Sequence, residues 1–222
     1  MSENLIIGRQ KEIQQLKECY ASPVSQLIIL YGRRRVGKTF LVNQTFDNKF
    51  SFKLVGDFNQ NREEQLNNFY EELNRKSKAD ISAPKNWREA FFQLRDYIDS
   101  LPNDEKQVVF FDEMPWLDNH KSGFLPAFEY FWNSYGSAKN NLMLIVCGSA
   151  TSWLIENIDH NKGGLFNRQN CRIYLEPFTL HETEQFLLSR NIIWNRYDIC
   201  ECYMIVGGIP YYLNLLKGSI PY

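Results

Sequence analysis

The residues best suited to chemistry are eight in a row, Gly32-Arg33-Arg34-Arg35-Val36-Gly37-Lys38-Thr39, which fit the spacing G-x-x-x-x-G-K-[ST]. The two glycines let backbone N–H groups close around phosphate oxygens, and the N-terminus of a following helix adds partial positive charge there. Lys38 has the reach for β- and γ-phosphates, and the Thr39 hydroxyl is a ligand for Mg²⁺. Chance alone yields such an octet in roughly one chain in a hundred of this length, so context decides. Here an apolar run, Leu27–Tyr31, precedes it and a helical segment follows, which is the context a phosphate cradle needs. Residues 32–39, with Phe40 after them, form the expected nucleotide-binding set.

A second group completes the chemistry. Val108-Val109-Phe110-Phe111 reads as a buried strand that delivers Asp112 and Glu113 at its C-terminal tip. Asp112 is placed to hold Mg²⁺, and Glu113 to orient and deprotonate a water in line with the γ-phosphate. A carboxylate poised for water favours hydrolysis, and transfer to a small metabolite is the competing reaction. A guanine-reading N-K-x-D is absent: Asn48-Lys49 runs on to Phe50-Ser51 and Asn161-Lys162 to Gly163-Gly164. ATP is therefore the expected nucleotide. Ser149, in Cys147-Gly148-Ser149, is placed either to sense the γ-phosphate or to cap the next helix. Arg168 is placed either to reach phosphate charge, in cis or from a neighbouring subunit, or to form a surface ion pair. Arg33, Arg34 and Arg35 read as a solvated basic cluster or as contacts to an acidic partner.

The elements that position these residues alternate along the chain. Strands are expected at Leu27–Tyr31, Phe50–Val55, Gln107–Phe111, Leu142–Cys147 and Cys171–Leu175. Helices are expected at Arg9–Tyr20, Lys38–Phe46 and Arg62–Lys76, from Asn86 with its N-cap partner Glu89, and at Phe124–Tyr135. The last of these carries an aromatic stripe, Phe124, Phe128, Phe131 and Tyr135, that reads as core packing. The loop containing Gly163 and Gly164 leads to the fifth strand, and Pro177 ends the pattern. Thr179 with Glu182 forms a capping box, and helix continues through Tyr197–Val206 to Gly207-Gly208-Ile209-Pro210. The fold expected is an α/β sandwich of three layers, with a parallel sheet covered on both faces and ligands at the carboxyl ends of its strands. Residues 1–176 form its core and residues 177–222 a helical lid.

The chain of 222 residues carries 25 Lys and Arg against 26 Asp and Glu, so nothing global draws it to nucleic acid or anionic lipid. Its longest apolar runs fall far short of the roughly 20 residues of a membrane span, and MSENLIIGRQ lacks a signal peptide's features. A soluble, cytoplasmic protein is expected. The five cysteines have no metal-ligand spacing and read as free, mostly buried thiols.

Read together, Ile7-Gly8-Arg9 with Glu12, YGRRRVGKT, FFDEMPWL, CGS, and LEPFTLHE followed by GGIPYYL resemble the archaeal-type P-loop ATPases. That family is related to the STAND signalling ATPases and the origin-recognition ATPases within the broad AAA+ class. The resemblance implies a sheet order of 5-1-4-3-2, with Gly8 and Arg9 lying along the adenine and Pro210 packing near the base. It also implies an arginine before the fifth strand, matched by Arg168, although Asn167 stands where a glycine is usual. Members generally continue past GGIP into a winged-helix and often a nuclease-like region, so a fragment lacking its effector part is expected. An ATP-hydrolysing switch is the leading expectation. A DNA-associated ATPase of defence or mobile elements, contacting DNA only through that further region, and a non-hydrolysing nucleotide scaffold are the alternatives, with self-association or a protein partner open.

Overall fold

In the computed structural model, which describes residues 6–77, 81–119, 121–159 and 169–217, five parallel strands form one sheet. They are β1 (Gln26–Tyr31), β2 (Phe52–Val55), β3 (Gln107–Asp112), β4 (Leu142–Gly148) and β5 (Cys171–Tyr174), in the order β2-β3-β4-β1-β5. Read from the other edge this is 5-1-4-3-2, as expected. The strand carrying the acidic pair is thus separated from the strand feeding the phosphate loop by β4, so the tips of three adjacent strands converge on one place.

Both faces of the three central strands, β1, β3 and β4, are buried, which explains their unbroken apolar runs. Leu27 and Ile29 of β1, Val109 and Phe111 of β3, and Leu144 and Val146 of β4 join one core cluster. Their alternates Ile28, Leu30, Val108, Phe110, Met143, Ile145 and Cys147 join the other. On the first face pack α3 (Arg62–Ser77), α4 (Trp87–Ser100) and α5 (Phe124–Ser134). On the second lie α1 (Gln10–Ala21) and α2 (Lys38–Thr45). The aromatic stripe of α5 is core: Phe124, Phe128 and Phe131 are buried against Phe91, and Phe124 meets Trp87 edge-on at 4.8 Å.

Local signals hold at the helix ends. The Asn86 side chain accepts from the Glu89 N–H at the start of α4, and Thr179 with Glu182 closes a full capping box on α7 (Leu180–Ser189). Elsewhere the bounds shift. β2 begins at Phe52 instead of Phe50 because Asp47 and Asn48 take left-handed backbone angles and turn the chain first. After α8 (Arg196–Val206) the glycine pair leads into a single turn, α9 (Pro210–Leu213), that periodicity gave no means of seeing. Leu187, Ile192 and Ile199 form a separate small core between α7 and α8.

Candidate functional site

The phosphate loop leaves β1 at Gly32, where a side-chain carbon would stand 2.4 Å from the Leu175 carbonyl oxygen, so only glycine lets the loop begin this close to the end of β5. Arg33, Arg34 and Arg35 are exposed, Val36 is buried, and Gly37 is the N-terminal cap of α2. Lys38, one residue into that helix and only 5% exposed, turns back so that Nζ donates to the carbonyls of Gly32 at 2.9 Å and Arg33 at 3.0 Å. Its ammonium therefore sits inside the mouth of the loop. Phe40, on the outer side of α2, is exposed.

At the tip of β3, Asp112 is 3% exposed and accepts from Thr39 Oγ1 at 2.7 Å and from the Glu113 N–H at 3.0 Å. Beneath it the Cys147 thiol is pushed well above its ordinary pKa, by burial first and the Asp112 charge next, and stays protonated. Glu113 adopts left-handed angles (φ 46°), an uncommon conformation for a side chain of this size and one that collects at functional sites. The twist carries its carboxylate across to β4, where Oε2 accepts from the Ser149 N–H at 3.1 Å and from Ser149 Oγ at 2.9 Å. Ser149 is therefore the partner of Glu113; the next helix, α6 (Thr151–Leu154), starts two residues later. Arg34 Nε donates to Ser149 Oγ at 3.2 Å and returns the chain of contacts to the loop. Thr39, Asp112, Glu113, Ser149 and Arg34 thus form a hydrogen-bonded chain that begins and ends in the octet at the mouth of the cradle.

Arg35, itself left-handed (φ 70°), points toward the last helices: Nη1 donates to Tyr212 Oη at 2.8 Å and the guanidinium lies 4.4 Å from the Tyr211 ring centroid. Pro210 opens α9 just before these tyrosines. Arg33 borders a cavity of about 430 Å³ whose other walls are Met204, Ile205, Val206, Gly207, Ile209 and Tyr212. Gly8 packs against Glu182. Arg9 is buried, donates to the Glu176 carbonyl at 2.7 Å and lies 4.8 Å over the Phe178 ring. Burial lowers its pKa against the raising pull of Glu12, Glu182 and Glu176. Its guanidinium is thereby committed to protein partners. Arg168, and Gly163 and Gly164 before it, lie outside the described residues. The sequence gives Tyr211, Tyr212 and Trp116 no role of their own; in the structure each meets an arginine of the loop.

Thr39 and Asp112 fit a bound Mg²⁺: their facing oxygens are hard donors, adjacent, and at the phosphate end of the loop. A glycine-rich loop between strand and helix, with an acidic strand tip two strands away on a 5-1-4-3-2 parallel sheet, defines a P-loop nucleotide-binding fold. Residues 6–216 match the family described as an ATPase domain predominantly from Archaea, and the chain belongs to that family. An uncharacterised protein of Methanocaldococcus jannaschii is 25% identical over 217 residues, which are 96% of this chain and 44% of that protein. A second protein of that organism, an uncharacterised ATP-binding protein, is 42% identical over 45 residues, 20% of this chain and 76% of its own. Among solved structures, the Walker-type ATPase of Pyrococcus abyssi superposes with a TM-score of 0.66 at 23% identity, covering 94% of this chain and 65% of that one. The ORC2 protein of Aeropyrum pernix, in ADPNP and ADP complexes, gives a TM-score of 0.60 at 16% identity over 88% of this chain and 56% of its own. A STAND protein of Pyrococcus horikoshii with a tetratricopeptide repeat sensor gives 0.58 at 17% identity, over 99% of this chain and 31% of its own. The chain thus spans under half of the first curated relative and about two thirds of the first structural one. Among the described residues no helix is long and apolar enough to cross a membrane.

Proposed function

We propose that this chain binds ATP with Mg²⁺ and hydrolyses it to ADP and phosphate, and that the cycle is used as a conformational switch for an effector region. The observation that carries this reading is that chain of contacts itself. Thr39, Asp112, Glu113 and Ser149 come from the loop and from two different strands, yet each is within hydrogen-bond distance of the next.

In this reading the loop N–H groups and Lys38 hold the β- and γ-phosphates, and Thr39 and Asp112 hold the metal, which when bound neutralises charge on the phosphate oxygens. Glu113 aligns a water with the γ-phosphorus and takes its proton as the water oxygen bonds to phosphorus; the bond to the bridging oxygen breaks and ADP leaves. The apolar cavity beside Arg33, walled by Ile209 and Tyr212, suits a purine ring. Gly8, Arg9 and Pro210 are retained as candidate adenine contacts on the family resemblance, although none of them is among the residues that wall this cavity. Arg168 is retained as a candidate for γ-phosphate charge. Residues 1–176 act as the core and 177–222 as the lid, linked through Arg35 and Tyr212. Any DNA contact is assigned to the effector region, while self-association or a protein partner is retained as a candidate for this chain.

The test separates binding from turnover. Lys38→Ala should weaken ATP binding severely, by more than about tenfold, since it removes a charged partner of two phosphates. Glu113→Gln should bind ATP like the unaltered chain and lose phosphate release. Phosphate release by Glu113→Gln at the unaltered rate would refute the assigned role.

A further inference from the structure

Arg34 could have been one more solvated loop cation, yet it holds a definite post. Its guanidinium lies 5.4 Å from the centroid of the Trp116 ring, which in turn packs on Phe58 at 5.5 Å, and Nε donates to Ser149 Oγ. Arginine has five N–H donors and no acceptor. Ser149 Oγ must therefore accept from it, and the single hydroxyl proton is left for Glu113 Oε2. Through Ser149, a side chain of the phosphate loop governs where the candidate base points.

The link is also easy to exchange. Arg34 is exposed, its bond to Ser149 is single and at 3.2 Å sits at the long end of the normal range, and an aromatic face allows a guanidinium to slide. Hydrogen bonds between ionised partners are shorter and about twice as strong as neutral ones. A terminal phosphate entering a mouth ringed by Lys38, Thr39 and Ser149 would be the better acceptor.

On the reading of this loop as an ATP site, we propose that Arg34 is the residue by which the chain tells a triphosphate from a diphosphate. Its guanidinium passes from Ser149 Oγ to the γ-phosphate, and Ser149, relieved of that donor, can turn with Glu113 toward the water. ADP lacks the γ-phosphate and leaves the Arg34–Ser149–Glu113 relay as the structure has it. Arg34 is thus a positioning residue for Glu113 and the source of nucleotide discrimination.

The test is calorimetric titration of the whole chain with Mg-ADP and with a non-hydrolysable ATP analogue, for the unaltered protein, Arg34→Ala, Arg34→Lys and Lys38→Ala. Arg34→Ala should bind ADP within about twofold of the unaltered chain and the triphosphate analogue about tenfold or more weakly, the loss of one charge-assisted hydrogen bond. Arg34→Lys, with a point charge in place of the fork, should fall between. ADP binding serves as the check on folding. Equal loss for both nucleotides, or an unchanged ratio, would overturn the proposal while leaving the ATP site standing. If the unaltered chain bound neither nucleotide, or Lys38→Ala bound both as well as it does, the underlying reading and this proposal would fall together.

Discussion

Replacing Gly208 by alanine should cost several times more stability than replacing its neighbour Gly207, although the two share nearly the same backbone angle. Gly207 has φ 67° and Gly208 φ 65°, so either alanine incurs the left-handed penalty of about 1–2 kcal/mol. At Gly207 nothing lies within 4 Å of the new carbon. At Gly208 it would stand 2.1 Å from the Phe178 carbonyl oxygen and 2.8 Å from the Tyr203 ring. A backbone atom cannot swing aside, so the whole contact between this turn and residues 177–178 must open. That loses the Phe178 N–H to Gly208 O hydrogen bond of 2.8 Å, about 1 kcal/mol, and adds strain of roughly 1–3 kcal/mol. The sum is roughly 3–6 kcal/mol for Gly208→Ala against about 1–2 kcal/mol for Gly207→Ala. Urea unfolding followed by tryptophan fluorescence and circular dichroism in parallel reads both numbers and tests whether the two transitions coincide. Variants within about 0.5 kcal/mol of each other would refute the close approach of this turn to residues 177–178.

Two further outcomes follow from the packing. Phe91 touches Phe69, Trp87, Phe111, Phe124, Phe128 and Phe131, so Phe91→Ala should cost roughly 3–5 kcal/mol in urea unfolding while ADP binds the folded fraction with unchanged affinity. At the opposite end of the sheet, Tyr135 donates to Asp99 at 2.8 Å, and burial, then that acceptor and its charge, raise the tyrosine's pKa. A raised folded-state value means the contribution is whole below about pH 10, the unfolded value, and is lost as pH climbs toward the folded one. Stability measured between pH 8 and pH 11 should therefore decline less steeply in Tyr135→Phe than in the unaltered chain, and an identical decline would count against the Tyr135–Asp99 bond.

How far the sequence carried depends on how local the governing physics is. Strands buried on both faces announce themselves as unbroken apolar runs, and β3 and β4 differ from expectation by one residue at their ends. Caps at Asn86 and Thr179 are short-range hydrogen bonds between residues three apart, and both were readable. Strand order is another matter. Spacing leaves many orders open, and 5-1-4-3-2 came only from resemblance. The partnership of Ser149 with Glu113 joins residues 36 positions apart and depends on β3 lying beside β4 and on a left-handed twist at Glu113. No periodicity encodes that twist.

The arginine triplet shows why loop side chains resist such reading and why they matter here. Three identical, consecutive, exposed residues meet three different environments: Arg33 the cavity by α8, Arg34 the Ser149 hydroxyl, Arg35 the Tyr211 and Tyr212 rings. In a helix or strand their directions would follow from a fixed period, but the change to φ 70° at Arg35 turns the third away from the second. One consequence is mechanical. The Arg35 carbonyl accepts from the Tyr211 N–H at 3.4 Å while its side chain holds Tyr212, so any displacement of α9 from the core either breaks these contacts or pulls on the phosphate loop. The same loop, one residue earlier, sets the hydrogen bond that aims Glu113. A movement of the helical segment and the placement of the candidate base are therefore joined by two adjacent residues, a far shorter path than any route through the packed sheet.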